Sequence, residues 1–115
     1  MTLGQKQKLF TRLVGHLIEY AYHNGYELTL GDAYRDPRLH GEMGVKKSYS
    51  AANSSHKERL AIDLNLFKGG VFLTTSEAHK PLGAYWKTLH DDCRWGGDFK
   101  SPDGNHYSMT NGGRA

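Results

Sequence analysis

The strongest structural signal in this sequence is the segment Ala61-Ile62-Asp63-Leu64-Asn65-Leu66-Phe67, in which apolar and polar residues alternate. Ile62, Leu64 and Leu66 fall on one face of an extended chain, and Asp63 falls on the other. This period of two is typical of a strand that is buried on one side. A carboxylate in such a strand is unfavourable to desolvate unless it is paired or bound to a metal, so Asp63 is a candidate ligand.

Two histidines flank this strand at positions from which they could join Asp63. His56 precedes it by seven residues, an odd offset, so we expect a turn or bulge at residues 57–59 that brings both side chains to one point. Downstream, Asp103-Gly104-Asn105-His106 places a second imidazole after a turn-forming pair. Two imidazoles and one carboxylate suit a catalytic zinc ion, which takes three protein ligands and keeps one open position. Asp103 would then be free to transfer protons, which indicates a metal-assisted hydrolase.

The same segments resemble the motifs of peptidase family M15, the zinc D-Ala-D-Ala carboxypeptidases and L-alanyl-D-glutamate endopeptidases. Residues 54–63 are similar to the family's Ser-x-His-(x)6-Asp motif. Residues 95–106, beginning Trp95-Gly96-Gly97, resemble its second motif, and residues 33–37 resemble its upstream arginine motif. The resemblance runs from about residue 28 to residue 107 and is strongest to the small phage-encoded lysis enzymes, the endolysins.

The resemblance implies a single zinc ion, a general base beside it and residues that hold a peptide of peptidoglycan. The residues carried over are, as zinc ligands, His56, Asp63 and His106, as general base, Asp103, and as substrate-binding residues, Arg35 and Ser54. Two positions depart from the pattern. Arg59 stands where some members have glycine, and Tyr107-Ser108 follows the last histidine where many members have an aromatic residue and an acid. The second departure removes an acidic partner for His106.

Periodicity and turn residues place the remaining elements. The predicted elements are a helix over Thr2–His23 ended by Gly25, a strand over Glu27–Leu30, a hairpin over Phe67–Leu73, and a helix near Pro81 with Leu82, Tyr85, Trp86 and Leu89 as its buried stripe. We expect one zinc peptidase domain over residues 1–115. Its fold class is α+β: a small antiparallel sheet, helices packed on one side, and a zinc site in a cleft on the other. The resemblance implies the fold shared by hedgehog domains and D-Ala-D-Ala peptidases.

Composition excludes several other classes of protein. The net charge is +3 with a sequence pI near 9.0, and the chain lacks a concentrated basic face, so a nucleic-acid partner is not expected. The single cysteine, Cys93, excludes an internal disulfide, and neighbouring acids make it a poor nucleophile. No apolar run is long enough for stable membrane insertion, and the N-terminus does not resemble a secretory signal. We expect a monomer, and the resemblance to phage lysis enzymes implies that it is made in the host cytoplasm and reaches the cell wall or periplasm through a holin.

Alternative interpretations remain open at the level of sequence. The same metal centre would serve removal of terminal D-Ala by a carboxypeptidase, and a non-catalytic, zinc-stabilised cell-wall-binding module would keep the metal without turnover. The other histidines are expected to be surface or core hydrogen-bonding residues. Asp98 is expected to cap the Gly-Gly-Asp turn instead of acting as the base.

Overall fold

The computed structural model of the protein describes residues 1–33, 55–113 and 115. Within these ranges the chain forms two α-helices, five strands and three short 3-10 helices. The α-helices are α1 (Leu3–His23) and α2 (Lys80–Leu89), the strands are β1 (Glu27–Leu30), β2 (Ala61–Lys68), β3 (Val71–Leu73), β4 (Cys93–Trp95) and β5 (His106–Met109), and the 3-10 helices are Ser55–Glu58, Glu77–His79 and Gly96–Asp98.

Helix α1 begins one residue later than predicted because Thr2 is its N-cap. The Thr2 hydroxyl accepts a hydrogen bond from the Gln5 backbone, and the Gln5 side chain accepts one from the Thr2 backbone, which forms a capping box. Gly25, with φ of 84°, reverses the chain after the helix, as predicted. Across the described ranges, α1 included, no helix combines the length and apolar character needed to cross a bilayer.

Strand β2 is the centre of the antiparallel sheet, whose strands follow the order β1-β2-β5-β4 with β3 also paired to β2. The predicted hairpin is confirmed: β2 and β3 are joined by Gly69 and Gly70, whose φ values are 59° and 77°. Two consecutive positive φ angles are required by the tight hairpin turn whose twist matches the strands, and glycine adopts them without strain.

The hydrophobic core lies between the two α-helices and one face of the sheet. Leu64 and Leu66 of β2 are fully buried, and the Trp86 ring of α2 meets Phe10 of α1 and Tyr107 of β5 in edge-to-face contacts. Asp63, one residue before Leu64, points to the opposite face. The predicted α+β class, with helices packed on one side of a small antiparallel sheet, is therefore confirmed.

Candidate metal centre

Strand pairing brings Asp63 and His106 together although 43 positions separate them in the chain. The two residues are direct partners across β2 and β5. The flanking bonds, from Leu64 N to the Asn105 carbonyl and from Met109 N to the Leu60 carbonyl, are both 2.9 Å long. This pattern makes Asp63 and His106 a non-hydrogen-bonded pair, the type in which facing side chains are closest.

His56 reaches the same point because the chain breaks its extended path before β2, as predicted. Residues 55–58 form one 3-10 turn, and Leu60 N donates to the Ser55 carbonyl at 3.0 Å. Arg59 then adopts a left-handed backbone with φ of 59°. A glycine would take this conformation without a steric penalty, whereas a side chain incurs roughly 1 kcal/mol or more.

The side chains of His56, Asp63 and His106 converge on one small volume. Asp63 Oδ1 lies 3.3 Å from His56 Nε2 and 3.5 Å from His106 Nδ1. One donor atom from each of the three residues lies within 4.8 Å of the other two. The two imidazoles are buried and Asp63 is only partly exposed, so the cluster is largely shielded from water.

The electrostatics of the cluster favour an ionised Asp63. Burial alone raises the pKa of this carboxyl group, but the adjacent His106 and His56 imidazoles outweigh burial and hold the pKa well below its usual value. His56 Nδ1 lies 3.4 Å from the Ala33 carbonyl oxygen. A proton donated there would leave His56 Nε2, the nitrogen facing Asp63, as a lone-pair donor.

The second ring nitrogen of His106, Nε2, is considered together with Ser108, which stands where many family members have an acid. Among the described residues, His106 Nε2 is buried and has no hydrogen-bond partner, and the buried Ser108 Oγ has none either. The effect of Ser108 on the orientation of His106 stays a prediction.

The donor atoms fit a small divalent ion of the size of zinc. Zinc bonds to nitrogen and oxygen close to 2 Å in a tetrahedron place neighbouring ligand atoms about 3.4 Å apart. The separations from Asp63 Oδ1 to the two histidine nitrogens are 3.3 and 3.5 Å. Two imidazoles and one carboxylate are also the donor types found in catalytic zinc sites.

Asp103 begins the turn that leads into β5, and three contacts hold this turn in place. Its carbonyl accepts from His106 N at 3.1 Å, so the predicted base and the predicted ligand share one turn. The Ser76 hydroxyl accepts from Gly104 N at 2.9 Å, and the Trp95 indole donates to the Gly104 carbonyl at 2.7 Å. The Asp103 carboxylate itself is exposed.

Gly96 also supports this turn, because the Gly96 α-carbon packs directly against the turn. A β-carbon on Gly96 would lie 2.1 Å from the Asp103 carbonyl oxygen and 2.8 Å from His106 Cβ. Sequence reasoning identified the Trp95-Gly96-Gly97 approach but missed Ser76 as a support. The only signal for Ser76 was its place in a polar run before a helix, which does not distinguish it from an ordinary cap.

A cavity of about 360 Å³ adjoins Asp103. Strand β5 pairs with residues 61–63 of β2, whereas β3 pairs with residues 66–68 of β2. Leu64 and Asn65 therefore lie between the two pairings. Residues 72–76 and 102–105 line the space beside them. The cavity therefore begins next to the turn of the predicted base and runs along the sheet towards the β2–β3 hairpin.

Of the predicted site residues, Arg35 and Ser54 lie outside the described residues, so their roles stay predictions, as do the assignments of ligands and base.

Asp98 is not a cap: its carboxylate accepts from Lys87 Nζ at 2.7 Å in an exposed ion pair. His79 is a buried hydrogen-bonding residue, with Nδ1 2.8 Å from the Tyr107 hydroxyl. Burial, and then the charge of Asp92, raises the pKa of Cys93 to about 12, which argues against a nucleophilic role.

Comparison with known proteins agrees with this geometry. The model of a family described as D-alanyl-D-alanine carboxypeptidase, within peptidase family M15, matches residues 48–109, more than half of the chain. The crystal structure of Serratia marcescens L-Ala D-Glu endopeptidase ChiX is similar in fold, with a TM-score of 0.67 and 19% identity over 88% of this chain and 77% of that chain. Comparison with curated protein sequences gives no match.

The matched segment contains every member of the His-Asp-His cluster as well as Asp103. The chain therefore belongs to the M15 family of peptidoglycan peptidases.

Proposed function

We propose that this protein is a zinc-dependent L-alanyl-D-glutamate endopeptidase that cleaves peptidoglycan stem peptides. The observation that carries the proposal is the convergence of His56, Asp63 and His106 at separations suited to one zinc ion. A zinc ion held by these residues would supply a Lewis acid that lowers the pKa of water to about 7 and polarises a carbonyl group.

The protein's own residues would carry the proton transfers and hold the substrate. Asp103 accepts a proton from the attacking water and then delivers it to the departing amine. Its exposed carboxylate and its turn, which is shared with His106, support this role. Arg35 would provide a planar pair of donors to a carboxylate of the stem peptide, and Ser54 would hydrogen-bond the substrate backbone.

The structural neighbour favours the endopeptidase over the carboxypeptidase, since it is an L-Ala D-Glu endopeptidase.

Removal of terminal D-Ala is the second candidate, favoured by the description of the matching family. A digest of purified peptidoglycan fragments, analysed by mass spectrometry, separates the two activities. We expect new fragments that begin with D-Glu. Released D-Ala without such fragments would establish the carboxypeptidase instead.

A variant pair separates catalysis from metal binding and tests the non-catalytic alternative. Asp103→Asn should retain one zinc per chain but lose at least about 100-fold in turnover, the lower range for a general base. His56→Ala should lose both zinc and turnover. A wild-type protein that binds zinc but cleaves neither bond would point to a zinc-stabilised cell-wall-binding module. Full turnover by Asp103→Asn would contradict its role as the base.

We further propose that the enzyme is a phage endolysin that acts as a monomer on the wall after release through a holin. The support is the resemblance of its motifs to the small phage lysis enzymes. Expression in a bacterial host with and without a co-expressed holin tests this role. Lysis should require the holin and should disappear with Asp103→Asn, whereas holin-independent lysis would contradict the release route.

A further inference from the structure

The cavity beside Asp103 lies at a defined distance from the His-Asp-His cluster. Asn65, which lines it, follows Asp63 by two residues on β2 and faces the same side of the sheet. Two residues of a strand span about 7 Å. A group in this cavity is therefore about two residue lengths from a bond cleaved at the cluster.

The polar groups of the cavity are suited to hydroxyl and amide partners. The Asn65 amide nitrogen donates to Thr29, which leaves its oxygen as an acceptor. The hydroxyls of Thr75 and Ser76 accept from the backbone of Ala78 and Gly104, so both retain a proton to donate. The cavity thus presents several neutral donors and at least one neutral acceptor.

The charge of the described lining disfavours an anionic ligand. Among the described residues the lining contains one acid, Asp103, and no lysine or arginine, and burial lowers the pKa of His79 to about 4, which keeps this ring neutral. A carboxylate placed here would meet Asp103, and the described lining offers no compensating cation. In the proposed substrate, the amine side of the scissile bond begins with D-Glu and carries a carboxylate, whereas the acyl side does not.

The cavity also offers a flat apolar surface. Phe72 lines it with 52% of its surface exposed, and its ring is stacked on Phe67 with 5.1 Å between centroids. An aromatic face that is fixed by a second ring and open to solvent suits the apolar face of a pyranose. Hydroxyl and amide groups around such a face match the substituents of an N-acetylated sugar.

We propose that this cavity is a subsite for the uncharged N-acetylmuramoyl sugar on the acyl side of the scissile bond. The inference rests on the proposed endopeptidase function. On that side, one L-Ala residue and one lactyl unit separate the scissile carbonyl from the sugar ring. Each is about one residue long, so the ring falls about 7 Å away, close to the spacing from Asp63 to Asn65.

The test compares two substrates that differ only in the sugar: N-acetylmuramoyl-L-Ala-D-Glu and N-acetyl-L-Ala-D-Glu, each extended by the same stem residues. The wild type should cleave the muramoyl substrate with kcat/KM roughly tenfold higher, the size expected from one aromatic contact and one neutral hydrogen bond. Phe72→Ala should reduce this ratio roughly fivefold and leave cleavage of the sugar-free peptide unchanged. Thr74→Val, which keeps the side-chain shape but removes a lining hydroxyl, should reduce it less.

Val71→Ala is the matched control, because Val71 is the exposed neighbour of Phe72 on β3 and does not line the cavity. A wild-type ratio near one, or an unchanged ratio in Phe72→Ala, would overturn the subsite while the endopeptidase function stands. If neither substrate is cleaved, the proposed function fails, and binding is then measured without catalysis. Methyl N-acetylmuramide should shift the amide resonances of residues 65 and 74–76, and unshifted resonances would overturn the subsite as well.

Discussion

Gly96 offers the sharpest test of how the turn before β5 supports catalysis. In Gly96→Ala, the new methyl group would lie 2.1 Å from the Asp103 carbonyl oxygen. An ordinary contact begins at 3.4 Å, so the turn would have to retreat by about 1.3 Å. The contact with His106 Cβ, at 2.8 Å, is less severe and requires a shift of about 0.6 Å.

The displacement translates into an expected loss of turnover. A misplacement of about 1 Å at a catalytic group costs on the order of 100-fold in rate. Overpacking of this kind also lowers the free energy of unfolding by about 1–3 kcal/mol. We therefore expect Gly96→Ala to fold with kcat reduced about 100-fold and a smaller loss of zinc affinity.

The assay is kcat for stem-peptide cleavage, accompanied by zinc content and thermal unfolding of the same preparations. Gly15→Ala is the matched control, since Gly15 is exposed on α1 and an added β-carbon there contacts nothing within 4 Å. This control should retain full kcat and gain roughly 0.5–1 kcal/mol of stability from better helix propensity. Wild-type kcat in Gly96→Ala would refute the argument that the turn is held by this close contact.

Three further predictions concern stability and the identity of the base. Burial lowers the pKa of His79 from 6.5 to about 4, so the unfolded chain binds a proton that the folded chain excludes. This contribution is fully present above about pH 6.5, and about 3 kcal/mol is lost as pH falls to 4. In urea denaturation His79→Gln should lose less stability than the wild type between pH 6.5 and pH 4, and equal losses in the two proteins would contradict the argument. Trp95→Phe should lower the free energy of unfolding by about 1–3 kcal/mol, because the buried Gly104 carbonyl loses its donor; an unchanged urea midpoint would count against this. Asp98→Asn should cost less than about 1 kcal/mol, since the ion pair with Lys87 is exposed, and should keep full turnover; a large loss of turnover would make Asp98 a candidate base.

Much of the fold could be predicted because it depends on residues that are close in sequence. Alternation over residues 61–67 predicted β2, the helical stripe predicted α1, and the pair Gly69-Gly70 predicted the hairpin turn. The break between His56 and Asp63 followed from the odd spacing alone, and the structure shows it as a 3-10 turn with Arg59 in a left-handed conformation.

The supports of the candidate site could not be predicted in this way. Nothing local to Ser76 indicates that its hydroxyl meets Gly104 N, and nothing near Gly96 indicates a close approach to Asp103. The assigned role of Asp98 failed for the same reason, because its partner Lys87 lies on a helix eleven positions earlier in the chain. Each of these contacts depends on how separate elements pack.

The sequence by itself determined which chemical groups are present and which local conformations carry them: two imidazoles, two carboxylates, one strand and two turns. Tertiary structure decided that three of these groups converge, because the register of β2 against β5 sets Asp63 opposite His106. A slip of one residue would turn Asp63 and His106 to opposite faces, and it would also expose Ile62, Leu64 and Tyr107, which are buried on the helical side.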